Sequence, residues 1–323
     1  MSDLFEDPKR GEYSAPESHR VLLFGHRAFA AQGLAQRLSE QGCQVVSFSR
    51  GVGGRKRDLL TGPVSQLHEH PHLDARYDTV INYIVLRGES IERNLDYLRS
   101  LLRLCAERSV GHLVHISSLS VYQDTVACVT ETAATKTDSR RSGSYAALKV
   151  AAELFLRERA RPPLRVSFVR PAYILAPDMS DPIGSVGFRL PGRRLLVLGP
   201  GQIQRPLITR NVLNRAVATL VARPPAEAFE VLLLVDPQSP GRIDYLRHCA
   251  TLLGHGWQAV SYPRLIWAPV YGAALLARDW RRPSLSRVMR TIRERQLIQT
   301  FDPQRTERRL GFSLQDDWRS ALG

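Results

Sequence analysis

The chain has 323 residues, of which 43% are hydrophobic and 24% charged. Those proportions exclude a disordered or collagen-like chain and allow one enlarged α/β domain or about two ordinary ones. Basic residues outnumber acidic ones by 45 to 31, a net charge of +14, and Lys stands only at positions 9, 56, 136 and 149. An Arg excess scattered along the whole chain reads as solvated surface that favours phosphate-bearing small molecules, and nucleic acid is not an expected partner.

Cysteines stand at 43, 105, 128 and 249 without a C-x-x-C pair, so neither a disulfide frame nor a structural zinc site is expected, and a reducing cytoplasm suits them. Residues 1–19 are polar, with Pro and Gly and no apolar segment of the secretory type, and read as a loose tail. The longest apolar stretch, Leu265 to Ala277, contains Pro269 and is too short for a transmembrane helix. With Trp267 and the Arg residues that follow, it reads as a lid or core helix, weak membrane-surface contact being the alternative.

In chain order, Val21 to Phe24 reads as a strand, Gly25 as a turn, Phe29 to Gln41 as a helix stopped by Gly42, and Gln44 to Ser49 as a second strand. This is a βαβ unit of about thirty residues. The alternation continues with a strand at Thr79 to Val85, a helix at Ile91 to Arg108 and a strand at His112 to Ile116. A helix at Tyr145 to Arg159 and a strand at Val166 to Val169 complete it. The pattern predicts an α/β fold, a Rossmann-like doubly wound parallel sheet spanning residues 20–171. After Pro171, frequent Pro and Gly break the alternation. Helices at Asn211 to Val221 and Ile243 to Leu253 and a strand at Phe229 to Val235 then return to the sheet. Residues 172–323 are expected to form mainly a smaller, C-terminal substrate-binding part.

The first turn, Gly25-His-Arg27-Ala28-Phe-Ala-Ala31, has G-x-x-A-x-x-A spacing. Gly25 can make a tight turn, and a helix N-terminus near Ala28 would offer free N–H groups to a pyrophosphate, although Ala28 and Ala31 each add a Cβ where backbone should approach closely. The second strand ends in Ser49-Arg50, where a carboxylate would bind an adenosine ribose. Arg50, with Arg27 and the basic stretch from Gly51 to Arg57, predicts NADP over NAD, with NAD still open. Tyr145 and Lys149 stand at i and i+4, which places an ammonium beside a phenol on one helix face. The strand His112 to Ile116 runs into Ser117-Ser118-Leu-Ser-Val-Tyr122, which puts hydroxyls at the carboxyl end of a central strand.

These motifs, followed in order by Val169-Arg170-Pro171, Arg205-Pro-Leu-Ile and Arg309-Leu-Gly-Phe312, resemble the extended short-chain dehydrogenase/reductases, the NAD-dependent epimerase/dehydratase family, from about Val21 to the C-terminus. The resemblance implies Tyr145 as catalytic acid/base, Lys149 as its electrostatic partner and ribose ligand, and Ser118, four residues before Tyr122, as the hydroxyl that orients the reacting oxygen. It implies Asp58 beside adenine, Pro171 beside the nicotinamide, Arg205 at a substrate diphosphate and a structural or water-holding Asn94. A free tyrosine titrates near pH 10, about three units too high to be a good base at neutrality, so Lys149 and an oxidised nicotinamide are expected to lower it.

Two departures stand out. The strand end Ile81-Asn-Tyr-Ile-Val85 is bulkier than the family's, and Asn211-Val212 replaces an Asp pair, which is expected to weaken a helix cap. His68, Glu69, His70 and His72 lack a closing ligand pair and read as a polar surface turn, with no metal expected. The expected activity is epimerisation, dehydration or reduction at a carbonyl or secondary alcohol, foremost of a nucleotide-diphosphate sugar. Alternatives are a reductase of an apolar, steroid-like carbonyl compound and a non-catalytic NADP-binding sensor. A homodimer is left open.

Overall fold

The computed structural model describes residues 19–50, 54–56, 59–70, 73, 76–137, 144–184, 186–197, 200–261 and 299–322. The segment Leu265 to Ala277, His72 and Asp58 lie outside the described residues, as does the side chain of His68.

In chain order the first half gives β1 (Arg20–Phe24), α1 (Leu34–Glu40), β2 (Gln44–Arg50), β3 (Gly54–Lys56), β4 (Leu59–Gly62), β5 (Thr79–Asn82), α2 (Ile91–Glu107), β6 (His112–Ile116), β7 (Cys128–Val129), α3 (Ser144–Arg159) and β8 (Arg165–Pro171). The second half gives β9 (Tyr173–Leu175), β10 (Gly187–Leu190), β11 (Arg194–Val197), β12 (Leu207–Thr209), α4 (Arg210–Ala222), β13 (Phe229–Leu234), α5 (Arg242–Leu252), β14 (Gln258–Val260), β15 (Thr300–Phe301) and α6 (Gln304–Leu310). The main sheet has the order β13-β8-β6-β5-β1-β2-β4-β3. Its strands from β13 to β4 are parallel, and only β3 runs antiparallel, at the edge.

Alternation along β1 builds the two faces. Val21 and Leu23 pack with residues of α1 and α4 such as Leu34, Leu38 and Leu213, while Leu22 and Phe24 pack with residues of α2 and α3 such as Leu98, Leu101 and Leu156. Every residue of β5 and β6 is buried, as expected for central parallel strands covered on both sides. A third cluster, built from Leu175, Leu195, Val197, Leu207, Tyr245 and Trp318 among others, forms under the small sheet β10-β11-β14 and α5.

Three local expectations are corrected. The helix expected over Phe29–Gln41 is a 3-10 turn at Phe29–Ala31 followed by α1, which begins only at Leu34. The break has a tertiary cause. Gly33 turns left-handed (φ +81°), Arg210 Nη1 of α4 donates to the Phe29 carbonyl (3.3 Å), and Asn214 Nδ2 donates to the Gln32 carbonyl (2.8 Å). The strand at Thr79 ends at Asn82, not Val85, because the Asn82 side chain accepts from the Ile84 N–H (2.9 Å) and turns the chain out of the ladder. Finally, His70 is buried, edge-on to the Phe48 ring (centroids 5.7 Å apart), so this part of the histidine-rich turn belongs to the core. No group of three or more candidate metal ligands occurs among the described residues.

Candidate active site

The strand order reverses between β1 and β5, so the crevice at their carboxyl ends is the place where such a sheet holds ligands. Gly25 leaves β1 with φ +82°, and a Cβ there would meet Tyr83 Cβ and Ile84 Cγ1 at 3.2 Å, which restricts the position to glycine. The loop that follows departs from expectation. Ala28 is extended (φ −63°, ψ 139°) and opens no α-helix, Ala31 is buried in the core, and Arg27 is exposed.

Beyond β6 the hydroxyl-bearing segment meets α3. Ser118 accepts from the Ser120 N–H (3.2 Å) and is close enough to the Tyr145 phenol to pull its titration down, while Lys149, one helical turn further, donates to the Ile116 carbonyl at the end of β6. Lys149 Nζ lies 5.9 Å from the Tyr145 ring centroid. Ser118, Tyr145 and Lys149 are therefore together, Tyr145 at the surface and Lys149 buried. Burial pulls the Lys149 ammonium down to about 7, with Glu153 opposing and Arg87 adding to the fall. Burial also raises the Tyr145 phenol above its ordinary value, against the downward pull of Arg87 and of hydrogen bonding with Arg87 and Ser118. Arg87 is a second cation beside the phenol, in addition to the Lys149 that the sequence suggests.

Glu153 and Arg170 escaped the sequence reading of the site. Glu153, one turn past Lys149, accepts from Arg170 Nε (2.9 Å) and Nη2 (2.6 Å) and from the Ser117 hydroxyl (2.5 Å), all of it buried. Ser117 is thereby turned into this ion pair, and Ser118 is left to face Tyr145. The Arg170 guanidinium also lies 4.6 Å from the Tyr122 ring centroid. The Glu153 signal was readable as a second i, i+4 step on α3, and Arg170 lay inside a motif singled out only for its proline.

Beyond the end of β2, a pocket of about 530 Å³ is lined by Arg50, Gly62, Pro63, Val64, Leu86, Arg93, Asp96 and Tyr97. Arg50 closes β2 opposite Gly62 of β4, and β4 starts with Leu59 opposite Ser47, in the body of β2. The residues present fit a dinucleotide. The glycine turn sits at the switch point, a basic pocket opens beyond β2, and Tyr83, whose Cβ would lie against one on Gly25, holds a buried hydroxyl without a partner among the described residues. Pro171 is buried at the end of β8. Arg205 is apart from this group, with its guanidinium 4.0 Å from the ring centroid of Tyr173 in β9. Asn94 has a structural role, bonding the Leu86 N–H (2.9 Å), the Leu86 carbonyl (3.1 Å) and the Ser90 carbonyl (2.9 Å). The cap expected to weaken at Asn211 is supplied by Thr209, whose hydroxyl accepts from the Val212 N–H (3.3 Å).

No curated protein matches the chain in sequence. Among solved structures it is similar to a UDP-N-acetylglucosamine 4-epimerase from Bacillus cereus, at 14% identity over 94% of this chain and 96% of that one, with a TM-score of 0.66. It is also similar to a UDP-glucuronic acid 4-epimerase from Bacillus cereus in complex with NAD, at 14% identity over 94% of both chains and a TM-score of 0.65. A third similar structure is MoeE5 in complex with UDP-glucose and NAD, at 21% identity over 94% and 96% of the chains and a TM-score of 0.61. Residues 21–209, which carry the glycine turn, Ser118, Tyr145 and Lys149, match the profile of one family across more than half of the chain, and the protein belongs to the NAD dependent epimerase/dehydratase family of enzymes.

Proposed function

We propose that the protein binds NADP across the carboxyl ends of β1, β2 and β5 and acts on a secondary alcohol or carbonyl of a nucleotide-diphosphate sugar, with Tyr145 as acid/base. The observation that carries this reading is the convergence of the Ser118 and Tyr145 hydroxyls over a buried Lys149. A bound oxidised nicotinamide supplies the hydride acceptor. Tyr145 takes the proton of the substrate hydroxyl in the oxidative direction and returns it in the reductive one, while Ser118 orients the reacting oxygen. Lys149, tethered through the Ile116 carbonyl, stands beside the ring and would reach the cofactor ribose.

The preference for NADP rests on Arg50 and Arg93 in the pocket beyond β2 and on the absence of a carboxylate at the end of β2. Gly25, Arg27, Ala28, Ala31 and Pro171 complete the proposed cofactor contacts. Arg205, on β9's side of the cleft, is assigned to the substrate diphosphate. The UDP-sugars of the similar structures support that substrate class.

The test is calorimetric titration of the protein with NADP and NAD, followed by a thermal-shift panel of UDP-sugars on the cofactor-loaded form. A ligand at about 100 times its Kd should stabilise the native state by about 2.7 kcal/mol. Tighter binding of NADP than of NAD, and a further rise in Tm with a UDP-sugar, are expected. Equal cofactor affinities would remove the NADP assignment, and no shift with any UDP-sugar would remove the substrate class.

A further inference from the structure

The segment between β5 and α2 carries a cation onto the acid/base. Arg87 follows Leu86, whose N–H and carbonyl are both held by Asn94 of α2, and the next turn is pinned by Ser90, which caps α2 by accepting from the Arg93 N–H (3.2 Å). The backbone on either side of Arg87 is thus fixed while its side chain stays at the surface. From there the guanidinium lies 5.0 Å from the Tyr145 ring centroid, nearer to the ring than Lys149 Nζ at 5.9 Å.

The charged and titratable groups around this phenol come from three elements. Arg87 faces it from the loop after β5. Lys149 faces it from α3, with Glu153 behind it and already engaged by Arg170. From β6 the group is His115, buried beneath Lys149, its Nδ1 paired with Asn82 Nδ2 (3.2 Å), and Ser118 beyond it donates or accepts a hydrogen bond but carries no charge. A phenolate has room for three hydrogen bonds, and a cation set near the ring leaves room among them for a substrate hydroxyl. Lys149 spends a proton on the Ile116 carbonyl and, once neutral, contributes no charge to the phenol. A guanidinium remains protonated at any pH the fold survives.

We infer that Arg87 is the permanent cation that acts on Tyr145 and eases its ionisation while a substrate hydroxyl binds the phenol oxygen. The inference rests on the reading of Tyr145 as the acid/base, and it adds a role that Lys149 does not fill alone. Burial raises the Tyr145 phenol, and the charge of Arg87 pulls against that rise.

The test places 3,5-difluorotyrosine, whose phenol ionises near neutrality, at position 145 of the full chain and follows its 19F signal against pH. The measurement is made in the wild-type background, in Arg87→Met and in Arg87→Lys. Removal of an opposite charge in contact with the phenol should raise the 19F midpoint by about one pH unit in Arg87→Met, with Arg87→Lys between the two. An unchanged midpoint in Arg87→Met, with the native amide spectrum retained, would overturn the inference. This readout needs no turnover, so its failure is distinct from a failure of Tyr145→Phe to abolish activity.

Discussion

Glu153 lies one helical turn beyond Lys149 on α3 and is locked to Arg170 of β8 by two hydrogen bonds of 2.9 and 2.6 Å, so the helix that carries the acid/base is bolted to the sheet directly beneath it. Both side chains are buried, and the Ser117 hydroxyl takes up the remaining capacity of one carboxylate oxygen. Breaking such a pair on one side leaves an uncompensated buried charge, which costs more than the pair itself contributes. Arg170→Met should therefore lower stability by about 3–5 kcal/mol, and Arg170→Met with Glu153→Gln should recover part of that loss. Denaturant melts of the single and double variants check it. A double variant as unstable as the sum of its parts would mean that the two residues act independently.

Lys149 gives the fold a specific pH dependence. Its ammonium is held at about 7 in the native state against an ordinary 10.5, so the unfolded chain binds more protons than the native one between those values. The penalty for burying the charged form is complete below pH 7 and is relieved as the pH rises toward 10.5. A full shift of this size corresponds to about 5 kcal/mol, an upper bound because water and neighbours relax around the group. Wild-type stability should rise relative to that of Lys149→Met between pH 7 and 9. A stability difference that stays flat over that window would show that Lys149 titrates at its ordinary value.

Arg50 stands exposed at the end of β2, facing the 530 Å³ pocket with Arg93. If Arg50 meets the 2′-phosphate, as proposed, Arg50→Asp puts a ribose acceptor in its place, so NADP affinity should fall by at least about tenfold, or 1.4 kcal/mol, while NAD affinity holds or improves. Calorimetry with both cofactors on both proteins checks it. Parallel losses for the two cofactors would place Arg50 outside the 2′-phosphate site.

Asn94 holds the Leu86 N–H and carbonyl and so fixes the loop that presents Arg87. Asn94→Ala should leave buried backbone groups unsatisfied and cost about 1–3 kcal/mol. It should also speed amide exchange at Leu86 and Glu89 ahead of global unfolding. Exchange that changes only through global unfolding would mean that the loop is held by other contacts.

What the sequence disclosed follows from how local each signal is. The runs Val21–Phe24, Gln44–Ser49 and His112–Ile116 declare themselves as strands because their neighbours hardly alter them. The Tyr145–Lys149 pair is readable because helical spacing alone brings the two side chains together. The start of α1 was not readable, because the carbonyls that would have continued a helix from Phe29 are taken by Arg210 and Asn214, the latter 182 positions away from its partner Gln32. Likewise His70 reads as polar yet is buried, since its ring packs over Gly62 of β4 and beside Phe48 of β2. Arg87 carried no signal at all. It stands in a short Leu-Arg-Gly-Glu turn, and only the fold places that turn over α3.

The reading of Tyr145 as acid/base is tested most directly by mixing the NADP-loaded protein with a UDP-sugar and following reduced nicotinamide at 340 nm, in the wild type and in Tyr145→Phe. The phenylalanine ring keeps the packing and loses only the ionisable oxygen. The wild type should show an absorbance rise that Tyr145→Phe slows by at least about a hundredfold, with the cofactor Kd from calorimetry unchanged. A rise in Tyr145→Phe within about tenfold of the wild-type rate, at the same cofactor affinity, would contradict it and place the acid/base elsewhere.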